Sequence, residues 1–295
     1  RASLDVHGEG DFHSIDLLVI GELGFGGHFA SGTHGQLGDD FGQQSGGLIK
    51  EEGLGIAVLG LGFHHAVGFV AFLAVVQKFG GNEVFEELIF SLQGEARTAG
   101  RPTVFVRLTG CPLRCGYCDT AYAFSGGESR TFEAILEEVA QYAPRFITVT
   151  GGEPLAQPGC AALLTALCDL PSAPEVSLET SGALPIAGLD ARVSVVLDLK
   201  TPGSGEVSRN LWENIPELKP ADQVTFVLCD RADYEWARLK LESLALAERV
   251  GEVLFSPSTG VLAPDALAGW ILEDRLPVRM QLQLHKIIWG DRPGV

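Results

Sequence analysis

From residue 83 onward, apolar runs of strand length alternate with segments of helical period, and this alternation is the tightest constraint on the fold. Thr103–Leu108 (TVFVRL) is β-branched and aromatic, the composition of a strand. Phe132–Tyr142 spaces its apolar residues at a helical period, with Thr131 placed to cap it. Further strands are expected at Phe146–Val149, Val176–Leu178, Val193–Leu197, Val224–Leu228, Val253–Phe255 and Val278–Leu284. Helices are expected at Ala161–Asp169, Asp233–Arg249 and Pro264–Glu273. Such alternation implies an α/β fold with a mostly parallel sheet, curved into a partial barrel.

Upstream of this region the character of the chain changes. The first 81 of its 295 residues hold 19 of the 37 glycines and six of the seven histidines, but no Pro, Cys, Trp, Tyr or Met. Gly53 to Val76 is apolar enough to suggest a membrane span, yet His64, His65 and five glycines interrupt it. A basic start followed by a short apolar core is missing, so a signal peptide does not fit. The histidines lack a compact ligand pattern, and the glycine-rich stretch from Gly21 to Gly27 lacks a complete phosphate-loop signature. Residues 1–82 are therefore read as an N-terminal extension outside the functional domain, either disordered or non-native through a misassigned start, and residues 83–295 as that domain. A net charge of -17 argues against nucleic-acid or anionic-membrane partners, whose binding surfaces are usually basic.

The strongest chemical signal is Cys111-Pro-Leu-Arg-Cys115-Gly-Tyr-Cys118. Six cysteines are too few for a disulfide scaffold, and three within eight residues indicate metal chemistry in a reducing, cytoplasmic compartment. Three thiolates in C-x3-C-x2-C can ligate three irons of a [4Fe–4S] cluster and leave the fourth iron open. The competing zinc knuckle needs a fourth protein ligand, and none is local. Cys160, Cys168 and Cys229 fall in expected helix or strand and read as small core residues.

With these cysteines in place, the sequence resembles the radical S-adenosylmethionine (SAM) superfamily, in which the open iron chelates SAM. Thr150-Gly151-Gly152-Glu153-Pro154 is similar to the GGE motif that contacts the SAM amino group there. The finer resemblance, over residues 83–295, is to the 7-carboxy-7-deazaguanine synthases of queuosine biosynthesis, a tRNA-modification pathway. Four segments in order carry it. They are Ser91–Glu95 with Gly100–Pro102; Arg107 through the cysteines to Thr120; the TGGEP string with Glu179-Thr-Ser-Gly182; and Gln281–Lys286.

The resemblance implies a partial (β/α) barrel of the radical SAM type and a carbon–nitrogen lyase acting on 6-carboxy-5,6,7,8-tetrahydropterin. The family's reaction removes hydrogen from C6, contracts the ring, releases ammonia and regenerates SAM. Carried over residue by residue, Leu92, Gln93, Gly94, Glu95, Arg107, Thr150, His285 and the carboxylate of Val295 would bind substrate. Tyr117, Asp119, Gly152, Asp198, Lys200 and Ser256 would bind SAM, and Thr120 would ligate Mg²⁺. Asp198 stands where some members carry Ser. A flavodoxin-like or other electron donor and a homodimer belong to the same expectation. The cluster loop, Thr150, Glu179, Asp198, Ser256 and His285 each follow or end an expected strand, where sites of parallel α/β sheets gather. Two other readings stay open: a glycyl-radical-enzyme activase, and a metal-stapled binding module without catalysis. For single residues the bland alternatives are a surface Gln/Glu pair, a solvated His285 and a helix-capping Thr120.

Overall fold

The computed structural model describes residues 82–290 and 292, together with five short strands nearer the N-terminus. Those five lie in a unit spanning Arg1–Val76, separate from a second unit spanning Gln77–Val295. Ala2–Ser3 pairs with Asp16–Leu17, and Leu48–Glu51, Leu54–Ala57 and Val75–Val76 form an antiparallel three-stranded sheet. The glycine-rich stretch 21–27, the histidines of residues 1–81 and Val295 lie outside the described residues. Among the described residues, no helix is long and apolar enough to cross a membrane.

The second unit is built on nine strands: β1 (Asn82–Leu92), β2 (Pro102–Leu108), β3 (Glu128–Thr131), β4 (Phe146–Gly151), β5 (Glu175–Thr180), β6 (Ser194–Asp198), β7 (Gln223–Leu228), β8 (Glu252–Pro257) and β9 (Arg279–Met280). Their order is β9-β8-β7-β6-β5-β4-β2-β1-β3. Every pair from β2 to β9 is parallel, while β1 runs antiparallel to both β2 and β3. The two end strands do not pair with each other, so the sheet is open. Helices α1 (Phe132–Gln141), α2 (Cys160–Cys168), α3 (Arg231–Ser243), α4 (Leu246–Arg249) and α5 (Pro264–Asp274) join the strands, and α6 (Leu284–Trp289) follows β9.

Strand side chains alternate between faces, and here the two faces differ in chemistry. Val104, Val106, Leu108, Ile147, Val149, Val176 and Leu178 pack with Phe132, Ile135, Leu163 and Leu167 of α1 and α2 in one buried cluster. Leu197, Val224, Phe226, Leu228, Val253 and Phe255 pack with Tyr234, Ala237, Leu267 and Ile271 of α3 and α5 in another. The intervening residues point to the opposite, concave face. In register across the sheet they form polar layers: Arg107–Thr150, with Thr148–Ser177–Ser194 one step below.

Thr131 caps α1 by accepting the Ala134 N–H at 3.3 Å, as its position in the sequence predicts. Two expected elements are corrected. The helix expected at Asp233–Arg249 is two, because Ala245 takes a left-handed conformation (φ 49°) between α3 and α4. The strand expected at Val278–Leu284 shrinks to Arg279–Met280, and Leu284 opens α6 instead. His285 consequently sits in a helical turn, not at a strand end.

Candidate active site

A cavity of about 460 Å³ opens on the concave face. Leu92, Gln93, Gly94 and Glu95 from the end of β1, Arg107 from β2, Thr150 from β4 and His285 from α6 all line it. Asp119 and Thr120 of the cysteine loop reach the same space. Segments almost 200 residues apart in the chain therefore meet in one volume, as expected from the sequence, with Val295 alone of the expected substrate residues outside the description.

One wall carries hydrogen-bond acceptors. Gln93 is buried, and its Nε2 donates to Thr148 Oγ1 and to Glu179 Oε1, both at 3.2 Å. The Glu95 main-chain N–H donates to Gln93 Oε1 at 3.1 Å. The Glu95 carboxylate accepts from Gln283 Nε2 at 2.9 Å and Gln281 Nε2 at 3.3 Å. Burial, and then the neighbouring Glu179 carboxylate, push Glu95 up to about 7. Burial also raises Glu179, against the hydrogen bond from Thr150 and the charge of Arg107. Gly94 is required by packing: a Cβ there would collide with the His285 imidazole, and the Leu284 N–H donates to the Gly94 carbonyl at 2.9 Å. Burial keeps His285 below its ordinary imidazole value.

Two cations, Arg107 and Lys286, line the same cavity. Arg107 Nε donates to Glu87 Oε1 at 2.9 Å, and Tyr122 Oη donates to the same oxygen at 2.9 Å. That leaves the terminal amino groups of the Arg107 guanidinium for a ligand. Lys286 pairs with Asp119 at 2.9 Å. Burial acts to raise the Asp119 pKa, but Lys286 and the Thr120 hydroxyl outweigh it and hold the carboxylate below its usual range. Thr120 precedes a 3-10 turn (Ala121–Phe124), yet its side chain makes no capping bond. Its hydroxyl donates to Asp119 Oδ1 at 2.9 Å, leaving the oxygen's lone pairs directed elsewhere.

The cysteine loop runs from the end of β2 and is pinned at several points. Leu113 is fully buried, and Arg114 lays its guanidinium over Phe124 at 4.2 Å. The Gly116 N–H donates to the Ser204 carbonyl at 3.0 Å and the Arg114 N–H to Glu206 Oε1 at 2.7 Å. Cys111, Cys115 and Cys118 are free thiols. Behind them Gly152 fits flat against the loop, since a Cβ would collide with Gly110 O and meet Cys111 Cβ at 2.8 Å. Glu153 does not face a ligand; it is fully buried, and Thr180 and Ser181 of the ETSG segment donate to its carboxylate. The motif's glutamate thus ties β4 to β5 and sets the glycine turn beside the cysteines.

The residues fit an iron–sulfur cluster with SAM. Among the described residues, no three His, Cys, Asp or Glu side chains converge on a point that would hold one metal ion, so a zinc knuckle has no ligand set. A cubic cluster is larger and spreads its thiolates across a loop of this kind. Next to the cysteines, buried Lys200 pairs with Asp198 Oδ2 at 2.6 Å, under the Tyr117 ring. Burial opposes the Lys200 charge, but Asp198 prevails and its pKa is raised. Burial pushes the Cys111 and Cys115 thiols up, while the Lys200 ammonium draws both toward thiolate. Tyr117 Oη and Asp198 Oδ1 are buried without a hydrogen-bond partner, a cost that a polar ligand would relieve. Ser256 is buried at the end of β8 and does not line the cavity.

Sequence reading undervalues Glu87, Tyr122, Glu179 and Lys286. Glu179 was visible within its motif, but its contact with Gln93 spans 86 residues and only the fold creates it.

Comparison with known proteins agrees with this geometry. The family model for the Radical SAM superfamily matches residues 105–202. The chain is 44% identical over 213 residues to the 7-carboxy-7-deazaguanine synthase of Chlorobaculum tepidum, covering 71% of this chain and 96% of that protein. It is 41% identical over 221 residues to the synthase of Koribacter versatilis, covering 69% and 95%. The crystal structure of QueE from Escherichia coli shares the fold, with a TM-score of 0.58, 19% identity and coverage of 70% of this chain and 97% of that one. The chain belongs to the 7-carboxy-7-deazaguanine synthase family of radical SAM enzymes.

Proposed function

We propose that this enzyme converts 6-carboxy-5,6,7,8-tetrahydropterin to 7-carboxy-7-deazaguanine with loss of ammonia. The observation that carries the reading is one cavity lined by both hydrogen-bond acceptors (Gln93, Glu95) and cations (Arg107, Lys286). A flat ring that carries both N–H donors and a carboxylate uses both kinds of group. Gln93 Oε1 and the Glu95 carboxylate accept from the ring edge, Arg107 takes the carboxylate, and His285 closes against the ring from α6. Cys111, Cys115 and Cys118 hold the cluster, and Tyr117, Asp119, Gly152, Asp198, Lys200 and Ser256 hold SAM. When bound, the cluster and SAM supply the one-electron chemistry that breaks the substrate C–H bond. The protein's part is to place that bond and keep water out.

Thr120 is the Mg²⁺ ligand in this reading, supported by its uncommitted hydroxyl lone pairs at the cavity wall; Mg²⁺ favours oxygen donors and keeps several waters. A homodimer, a flavodoxin-like electron donor, a cytoplasmic location and the exclusion of residues 1–82 from the catalytic unit complete it. The test is anaerobic reconstitution with iron and sulfide, followed by SAM, a reductant and the carboxypterin. Conversion to the deazapurine with one ammonia per turnover is expected. SAM cleavage that leaves the pterin unchanged would sink the assignment.

A further inference from the structure

Gln93 is held from behind by a line of hydroxyls that none of the active-site roles above uses. Thr148 on β4 and Ser177 on β5 face each other in register on the concave face, below the cavity. Thr148 Oγ1 accepts from Gln93 Nε2, stands 2.9 Å from Ser177 Oγ, and Ser177 Oγ donates to the Ile147 carbonyl at 3.3 Å. With that carbonyl as the terminus, the donors run one way: Gln93 to Thr148 to Ser177 to main chain. Each hydroxyl accepts one bond and donates one, so the line has one self-consistent direction.

The consequence falls on Gln93. Both hydrogens of its amide are spent, one on Thr148 and one on Glu179, while its oxygen already accepts the Glu95 N–H. Turning the amide over would set oxygen against the Glu179 carboxylate and NH₂ against the Glu95 N–H, losing both bonds. Only a carbonyl lone pair remains for a ligand. The site must therefore meet an N–H at this point, and an oxygen there would face oxygen. A recess of about 20 Å³, lined by Thr148, Ser177, Ser194 and Gln223 together with Ala96, Phe146 and Val176, has room for one water.

We propose that Thr148 and Ser177 are positioning residues that, together with Glu179 and the Glu95 N–H, hold the Gln93 amide as an acceptor, and so make the enzyme select ring edges that present N–H over edges that present C=O. This rests on the pterin reading above. The test compares wild type, Thr148→Val, Thr148→Ser and Ser177→Ala, each reconstituted and checked for iron content and SAM binding. Substrates are the carboxypterin and its analogue with oxygen in place of the exocyclic amino group. Valine keeps the shape of threonine and deletes the hydroxyl. Thr148→Val is expected to raise KM about tenfold with kcat little changed, and to narrow the preference for the amino ring by a similar factor, the loss of roughly one hydrogen bond. Thr148→Ser should restore both, and Ser177→Ala should shift both in the same direction by less. Unchanged KM and preference in Thr148→Val would overturn the proposal. Should that variant fail to fold, unchanged values in Ser177→Ala would do so. A wild type that converts neither ring indicts the pterin reading instead, which separates the two failures.

Discussion

At single residues, the site is shaped by what each side chain has left over once its protein partners are counted. Thr120 spends its hydroxyl hydrogen on Asp119 and leaves its lone pairs free. Thr120→Ala removes the only oxygen on that side chain and should weaken the dependence of turnover on Mg²⁺ while iron content stays normal; Thr120→Ser should retain most of it. Titrating Mg²⁺ against rate for the three forms decides, and identical curves for Ala and wild type would move the metal elsewhere. Glu95 makes a prediction about pH. Its carboxyl titrates at about 7 in the folded chain against an ordinary value of 4.5. Below 4.5 it is neutral folded or unfolded and costs nothing. Between 4.5 and 7 the unfolded chain ionises first, so the wild type loses stability relative to Glu95→Gln, by at most about 3 kcal/mol, and the gap stays constant above 7. Denaturant unfolding of both forms at pH 5 and pH 8 measures it; a gap that does not widen shows a carboxylate already ionised at pH 5. Gln93, Glu95, Arg107 and His285 were legible in the sequence because their motifs name them. Glu87 and Tyr122 were not, since each acts through a partner that only the fold supplies; Lys286 ends a named segment, but its pairing with Asp119 comes from the fold.

Elements explain why two short motifs at opposite ends of the catalytic region act together. The turn after β1 and the first turn of α6 are in contact through the Gly94 carbonyl, the Leu284 N–H and the face of His285. A Cβ at Gly94 has the imidazole in its way, so Gly94→Ala should push α6 off the cavity. The expected result is a large loss of substrate affinity with iron content close to wild type, because Gly116 and Arg114 hold the cysteines on Ser204 and Glu206, while SAM affinity falls less, through the Lys286–Asp119 pair that joins α6 to the loop. If substrate titration of the reconstituted variant gives the wild-type affinity, α6 is not the wall described above. Most elements were readable from periodicity: α1, α2, α5 and the parallel strands β2 and β4 to β8 fall within a residue or two of expectation. The misses have local causes. Asp233–Arg249 keeps helical composition throughout, and nothing in Leu244-Ala245-Leu246 announces a left-handed Ala. Gln281–Leu284 alternates like a strand, but Glu95 takes the Gln281 and Gln283 amides and the Gly94 carbonyl takes the Leu284 N–H, which turns the chain into α6. The antiparallel β1 and β3 have no counterpart in a pattern of alternating strands and helices, which implies parallel neighbours.

For the molecule as a whole, the question is how much of the chain the chemistry needs. The Chlorobaculum tepidum relative aligns over 96% of its own length to 71% of this chain, so a complete relative fits within a part of it. The contact pattern divides the chain at Val76, and the nine-stranded sheet begins its pairings at Asn82, opposite Thr131. A cut after residue 81 therefore leaves every pairing of that sheet intact, along with both apolar clusters and every described residue assigned to substrate, SAM, cluster or metal. The chain of residues 82–295 should express as a soluble protein, take up iron and sulfide in the same ratio as the full chain, and convert the carboxypterin with the same kcat/KM. Its unfolding transition should match that of the intact protein, since both apolar clusters are made only of residues the shorter chain keeps. A truncated chain that aggregates, or one that binds its cluster and cleaves SAM yet leaves the pterin unconverted, would show that the first 81 residues complete the fold or the cavity.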